Sequence, residues 1–358
     1  MMKKIIPLPV KWFPGKVKFI QLALLLLALL LAGNTFPQIK DYAIDPNISV
    51  GVKAFLKVLN SGGKQLEDMS PDDARKVLES AQTSVSVDLS GIEISEKMIN
   101  SDGYKVKLYI VRPAGVKEKL PVFMFIHGGG WVLGDFPTHK RMVRDLVVGS
   151  GAVAVFPEYT RTPQAAYPQA INEIYAATKW VAEHGADINV DGKRLAIVGN
   201  SVGANMTTVT TLMAKAKGGP EIKLQIMMWP IVDADYNTES YKEFGTDRYL
   251  TKSTMQWMYD MYIPDPEKRK DIYASPLRAT VDQLRGLPPA LIVTAENDVL
   301  RDEGEAYGRK LDEAGVPETT VRYDGMIHDF GLLNPIANLP QTKALFIQAC
   351  AELKKYLK

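Results

Sequence analysis

Apolar positions change their rhythm along this chain. In Val85–Ile94 (VSVDLSGIEI) and Tyr104–Val111 (YKVKLYIV) they alternate with polar residues, as in strands buried on one face. The runs then turn continuously apolar: Pro121–His127 (PVFMFIH), Ala152–Pro157 (AVAVFP), Arg194–Gly199 (RLAIVG), Leu224–Trp229 (LQIMMW) and Ala290–Ala295 (ALIVTA), with Thr319–Asp324 (TTVRYD) following. Such runs suit strands covered on both faces, as in a parallel sheet. Segments with helical spacing separate them: Pro168–Glu183, Val202–Lys217, Arg301–Ala314 and Thr342–Leu357. The alternation predicts an α/β fold with a mostly parallel eight-stranded sheet, its first two strands antiparallel, covered by helices.

Two stretches interrupt that order. Residues 47–82 carry helical spacing ahead of the first strand, and residues 233–279 lie between the sixth and seventh strands, rich in Tyr, Met and Trp. Loops at the carboxyl ends of parallel strands surround the ligand site, so together these stretches are expected to form a helical cap over that edge. Most of their aromatic residues are expected simply to pack the cap. The first 33 residues read differently. Five lysines fall within the first 18 residues, no acid precedes Asp41, and an apolar run extends from Phe19 to Gly33. That run is short for a bilayer span of roughly 20 residues and fits the core of a signal peptide cut near Ala32–Gly33. The expectation is an exported protein, periplasmic or secreted, whose hydrolytic domain spans 34–358. If the segment is not removed, residues 19–33 would anchor it to the membrane.

Composition narrows the function. Without those five lysines the chain has 38 basic against 41 acidic residues, the wrong balance for a nucleic-acid partner. One cysteine, Cys350, rules out an intramolecular disulfide and a Cys-based metal cluster. No metal or organic cofactor is expected, and the partner is a small molecule. The oligomeric state is not legible.

The candidate chemistry sits at Val198–Asn205 (VGNSVGAN). Ser201 falls between a strand and a helix, with Gly199 and Gly203 placed where side chains would clash, the signature of a nucleophile elbow. A serine needs a base, and the chain has four histidines. His139 and His184 lie in polar text and are expected to face solvent. His127 ends a strand before three glycines, which suggests an orienting role. His328, in a short loop after the last strand, is the base candidate. The acid should lie between Ser201 and His328 in the chain. Asp298 fits best, just beyond the seventh strand, with Glu296 the alternative and Asp302 and Glu303 expected to cap the next helix. His127–Trp131 (HGGGW) supplies a loop whose backbone N–H groups can approach a ligand, and Val202, after the serine, supplies another N–H.

These motifs together resemble the hormone-sensitive-lipase-like esterases of the α/β-hydrolase fold. The resemblance runs from about Asn47 to the C-terminus and rests on HGGGW, Pro157–Val181, GNSVG, ASPLRA, Asp298–Pro317 and YDGMIHDF. It implies hydrolysis of carboxylic esters with short or medium acyl chains by Ser201, His328 and Asp298, without a cofactor. It also implies that Gly129 and Gly130 give oxyanion N–H groups beside Val202, supported by His127, Gly128, Gly199 and Gly203. The chain departs from the family at Asn200, where many members carry an acid, at Gly203–Ala204 in place of a glycine pair, and at Glu296, Asn297 and Val299 around the acid. Two rival readings stay open on the residues alone: a serine amidase or peptidase on the same fold, and a hydrolase-fold binding protein without chemistry.

Overall fold

The computed structural model describes residues 41–358, so the export segment proposed for residues 1–33 lies outside the described residues. Among the described residues, no helix is long and apolar enough to cross a membrane. Two helices precede the sheet, α1 (Val50–Leu59) and α2 (Pro71–Thr83), each started by a serine whose hydroxyl accepts a backbone N–H. The sheet opens with a hairpin, β1 (Ile92–Ser101) and β2 (Tyr104–Pro113). Its turn residues Asp102 and Gly103 both have positive φ, which matches the twist of the strands they join. β1 therefore starts seven residues later than the alternation suggested. Gly91, at φ +82°, and the Ser90 N–H bonded to Asp88 make a turn of the segment before it.

The remaining strands are β3 (Leu120–Ile126), β4 (Val153–Glu158), β5 (Val190–Asn200), β6 (Gln225–Met228), β7 (Ala290–Asn297) and β8 (Glu318–Ile327). They form one eight-stranded sheet in the order β1-β2-β4-β3-β5-β6-β7-β8. β2 runs antiparallel to both β1 and β4, and every other pairing is parallel. The continuously apolar strands fill the centre, as expected. Side chains leave a strand alternately to its two faces, and the core divides accordingly. Val122, Met124 and Ile126 pack on one side with residues of α4 (Gln169–His184) and α5 (Val202–Lys217). Phe123 and Phe125 pack on the other with α3 (Phe136–Ser150) and α10 (Pro340–Tyr356).

Helix α3 was not anticipated. Its sequence, FPTHKRMVRDLVVGS, hides an apolar face (Phe136, Met142, Val143, Leu146, Val147) among charged residues. An Asp135–Thr138 capping box starts it, and Gly151, in the left-handed conformation, ends it.

Residues 233–279 add α6 (Glu239–Phe244) and α7 (Lys252–Tyr262), and the short α8 (Val281–Leu284) and α9 (Arg301–Glu313) flank β7. The two helical stretches that interrupt the α/β order meet each other. Asn60 donates to the Asp247 carbonyl at 3.0 Å, and Thr254 to Glu67 at 2.9 Å. Arg248 and Asp45 form a buried ion pair at 2.9 Å. Breaking such a pair strands a charge away from water, so the start of the described chain is fastened to the insertion.

Candidate active site

The serine turn is built by close packing. β5 ends at Asn200 and α5 begins at Val202, leaving Ser201 alone to reverse the chain at φ 54° and ψ −122°. That conformation costs a residue with a side chain about 1–3 kcal/mol. A Cβ on Gly203 would overlap the Ile126 carbonyl, and one on Gly199 the Gly203 carbonyl. The glycines let the helix start against β3. The Ser201 N–H donates to the Met228 carbonyl at 2.9 Å, which holds the strained residue to the end of β6.

Asp298 and His328 come from the ends of β7 and β8, neighbours in the sheet. The Leu300 N–H donates to one Asp298 oxygen at 3.0 Å. His328 Nδ1 lies 2.8 Å from the other, and His328 Nε2 lies 3.0 Å from Ser201 Oγ. A carboxylate only accepts, so Nδ1 carries the proton and Nε2 is free to accept from the serine. All three residues are almost sealed from solvent, with exposures of 4% for Ser201, 2% for Asp298 and 2% for His328. The loop after His328 is held from two helices: Arg141 of α3 donates to the Gly331 and Leu332 carbonyls at 2.6 and 2.7 Å, and Gln82 of α2 to Leu332 at 3.0 Å.

Burial alone would lower the affinity of His328 for a proton. The carboxylates of Asp298 and Asp329 outweigh it, and the pKa lies above the usual 6.5. Glu296 is not the partner, since its carboxylate accepts the Gly325 N–H at 2.7 Å. Asp302 and Glu303 do not cap α9 as expected. Asp302 accepts the Ser240 N–H, and Glu303 the N–H groups of Val232 and Asp233, so both reach across to the insertion. Glu303 is buried, which pushes its carboxyl well above the usual range.

The HGGG loop crosses the serine turn. The Gly128 N–H donates to Asn200 Oδ1 at 3.0 Å. Gly129 and Gly130 follow with φ of +108° and +62°, which a residue with a Cβ would reach only under strain. Among the described residues, none accepts a hydrogen bond from their N–H groups. His127 orients this loop: Nδ1 donates to the Gly128 carbonyl at 2.8 Å, and the ring stacks on Tyr159 with centroids 4.1 Å apart.

His139 is a correction. It is fully buried, 5.3 Å from the His127 ring, and its Nδ1 donates to the Asp135 carbonyl at 3.0 Å. The unrecognised helix α3 explains the error, because position 139 falls on its inner side. Burial lowers the pKa of His139 to about 4 and that of His127 well below 6.5, so both are neutral. His184 is exposed, as expected, and its ring stacks on Trp180.

The insertion reaches the site through few of its aromatic residues. Tyr236, Tyr241 and Tyr259 pack on one another, and Tyr259 and Tyr262 pack on Trp131. Two residues come closer. Met258 fills the space that a side chain at Gly130 would need, and the Tyr249 ring lies 6.4 Å from that of His328. Asp329, directly after the histidine, was overlooked. The signal lay in IHDF, where a second acid follows the base, and in the amide before the serine.

A family model described as the alpha/beta hydrolase fold matches residues 123–332, more than half of the chain. The chain belongs to the hormone-sensitive-lipase-like α/β hydrolases. A thermostable esterase from Pseudomonas putida ECU1011 has a similar structure, with a TM-score of 0.87 and 59% identity over 88% of this chain and 99% of that one. Carboxylesterase NlhH of Mycobacterium tuberculosis is 33% identical over 70% of this chain and 80% of its own length. The ethyl acetate hydrolase of Pseudomonas putida is 29% identical over 79% and 92%. This hydrolase is a carboxylesterase.

The placement of the histidines gives a test that activity alone would miss. His139→Ala should destabilise the fold by about 2–4 kcal/mol, as truncating a packed ring does, whereas His184→Ala should change stability by less than about 0.5 kcal/mol. Urea unfolding midpoints of the two variants distinguish a buried from a solvent-facing His139.

Proposed function

We propose that this carboxylesterase cleaves esters of short or medium acyl chains through a covalent acyl-enzyme on Ser201. The observation that carries the reading is the hydrogen-bonded line from Ser201 Oγ through both nitrogens of His328 to Asp298. Ser201 Oγ attacks the ester carbonyl while His328 Nε2 takes its proton, and Asp298 stabilises the imidazolium. The N–H groups of Gly129, Gly130 and Val202 face the oxyanion, each donor worth about 2.7–4 kcal/mol. His328 then gives the proton to the leaving alkoxide, which departs as the alcohol. Water, deprotonated by the same nitrogen, attacks the acyl carbonyl, the bond to Ser201 Oγ breaks as His328 returns the proton to it, and the acid leaves.

The chemistry of the site supports an ester with a limited acyl group. The reacting atoms are nearly enclosed, and Met258 packs on Gly130. The likeness to an ethyl acetate hydrolase points the same way.

Ser201→Ala should lower kcat on nitrophenyl acetate by at least about a thousandfold without altering the circular dichroism spectrum. A fluorophosphonate should label the wild type at Ser201 alone. Retained turnover in Ser201→Ala would refute the nucleophile.

The pH profile of kcat/KM should lose activity on the acid side through a pKa above 6.5, because the protonated imidazole cannot accept the serine proton. Activity constant down to pH 5 would contradict His328 as the base.

Across nitrophenyl esters from acetate to palmitate, each buried methylene should add about 0.8 kcal/mol, roughly fourfold in kcat/KM, until the site is full. The profile should then fall. A rise continuing to palmitate would indicate an open acyl channel.

A further inference from the structure

We infer that Asn200 and Asp329 are a positioning pair that ties the HGGG loop to the histidine of the relay, and that the carboxylate at 329 dictates the amide at 200. The inference rests on the roles proposed above for Ser201 and His328.

Asp329 follows His328 in the left-handed conformation, φ +59°, and its carbonyl accepts the N–H groups of Leu332 and Leu333 at 2.8 and 2.9 Å. This turn directs the carboxylate back under the site. Oδ1 accepts from Trp229 Nε1 at 2.7 Å and from Asn200 Nδ2 at 3.1 Å. Oδ2 lies 3.5 Å from the Tyr249 hydroxyl and 3.9 Å from His328 Nε2. Asn200, Trp229 and Asp329 are all buried.

An ionised carboxylate offers acceptors only. Asn200 must therefore turn its NH2 toward Asp329, which leaves Oδ1 facing the Gly128 N–H at 3.0 Å. Both ends of one amide are thereby fixed. A Cβ on Gly128 would lie 2.5 Å from Asn200 Nδ2, so the loop is seated directly on this side chain. Gly128 precedes the two glycines whose N–H groups face the oxyanion, and Asn200 precedes the nucleophile. The pair sets the distance between them.

An aspartate at position 200, common in the family, could still accept from Gly128. It would put a second carboxylate against Asp329 with no donor between them, and like charges sharing a site force one to take up a proton. The departure from the family at Asn200 then follows from the acid at 329.

Asp329 also acts on the base. Its carboxylate lies on the Nε2 side of His328, opposite Asp298, and favours the imidazolium formed when the serine proton is taken. The other titratable groups facing this region are the half-buried Tyr249 from the insertion and the buried His139 from α3.

The test measures kcat, KM and the pH profile of kcat/KM on nitrophenyl acetate for wild type, Asn200→Asp, Asp329→Asn and the double variant, with Tm for each. Asn200→Asp should lose about ten- to a hundredfold in kcat, the range for one buried charge-assisted hydrogen bond, with a smaller change in KM. The double variant removes the clash of like charges, but the oxygen of Asp329 that accepts from Asn200 also accepts from Trp229, and an amide cannot donate and accept at one atom, so it should recover part of that loss. Asp329→Asn should move the acid limb to lower pH, which a structural role alone would not do. A double variant no more active than Asn200→Asp, or one that does not fold, overturns the pair. An acid limb unmoved in Asp329→Asn does the same. If Ser201→Ala stays active, the relay itself fails, and that outcome is read separately from these.

Discussion

The site depends on how closely α5 packs against β3. The helix that follows Ser201 begins so near the Ile126 carbonyl that position 203 has no room for a methyl group. With the helix start fixed there and β5 ending at Asn200, one residue must turn the chain, and Ser201 accepts a strained backbone to do it. The cost is offset locally. Ala204 and Asn205 donate their N–H groups to the Ser201 carbonyl, and the Thr207 hydroxyl donates to Gly203 at 2.8 Å. Asn205 reaches the carbonyls of Ile231 and Ala274, which ties the first turn of α5 to the insertion. The serine hydroxyl is left at the carboxyl edge of the sheet, where the loops after β7 and β8 arrive as neighbours.

Electrostatics then selects one imidazole. His127, His139 and His328 are all buried, and burial alone would keep each neutral. His328 differs because carboxylates stand on both sides of its ring. The other two bond their Nδ1–H to backbone carbonyls and stay uncharged at neutral pH. They can orient the HGGG loop without competing for the serine proton. Burial also raises the carboxyl of Glu303, although the Val232 and Asp233 N–H groups both donate to one of its oxygens.

The two helical stretches act on the site mainly through each other. The Asp45–Arg248 ion pair and the Thr254–Glu67 hydrogen bond join them, and the tyrosines of the second stretch pack together. The Asn47 carbonyl accepts from Asn297, the residue before Asp298, and Ile48 bridges to Gly325 of β8. A segment far from the acid in sequence thus fixes the loop that carries it.

Much of this was legible in the sequence, because its signals are local. A doubly buried strand must be apolar throughout, and a turn without space must have glycine, so the central strands, the elbow and the candidate residues Ser201, Asp298 and His328 could be read in order. Helix α3 escaped, since its apolar face is diluted by charged residues, and with it went the burial of His139. The carboxylates at 302 and 303 looked like helix caps because a local rule covers that pattern, whereas their partners lie some seventy residues away. What the sequence alone determined was therefore the fold, the family and the candidate residues of the site, each set by steric or burial rules acting over a few residues. Only the tertiary structure decided which buried histidine can be charged and which amide must sit beside which acid, because electrostatic partners are chosen by distance in space, and the chain brings Asn200, Trp229 and Asp329 together only when the sheet is complete.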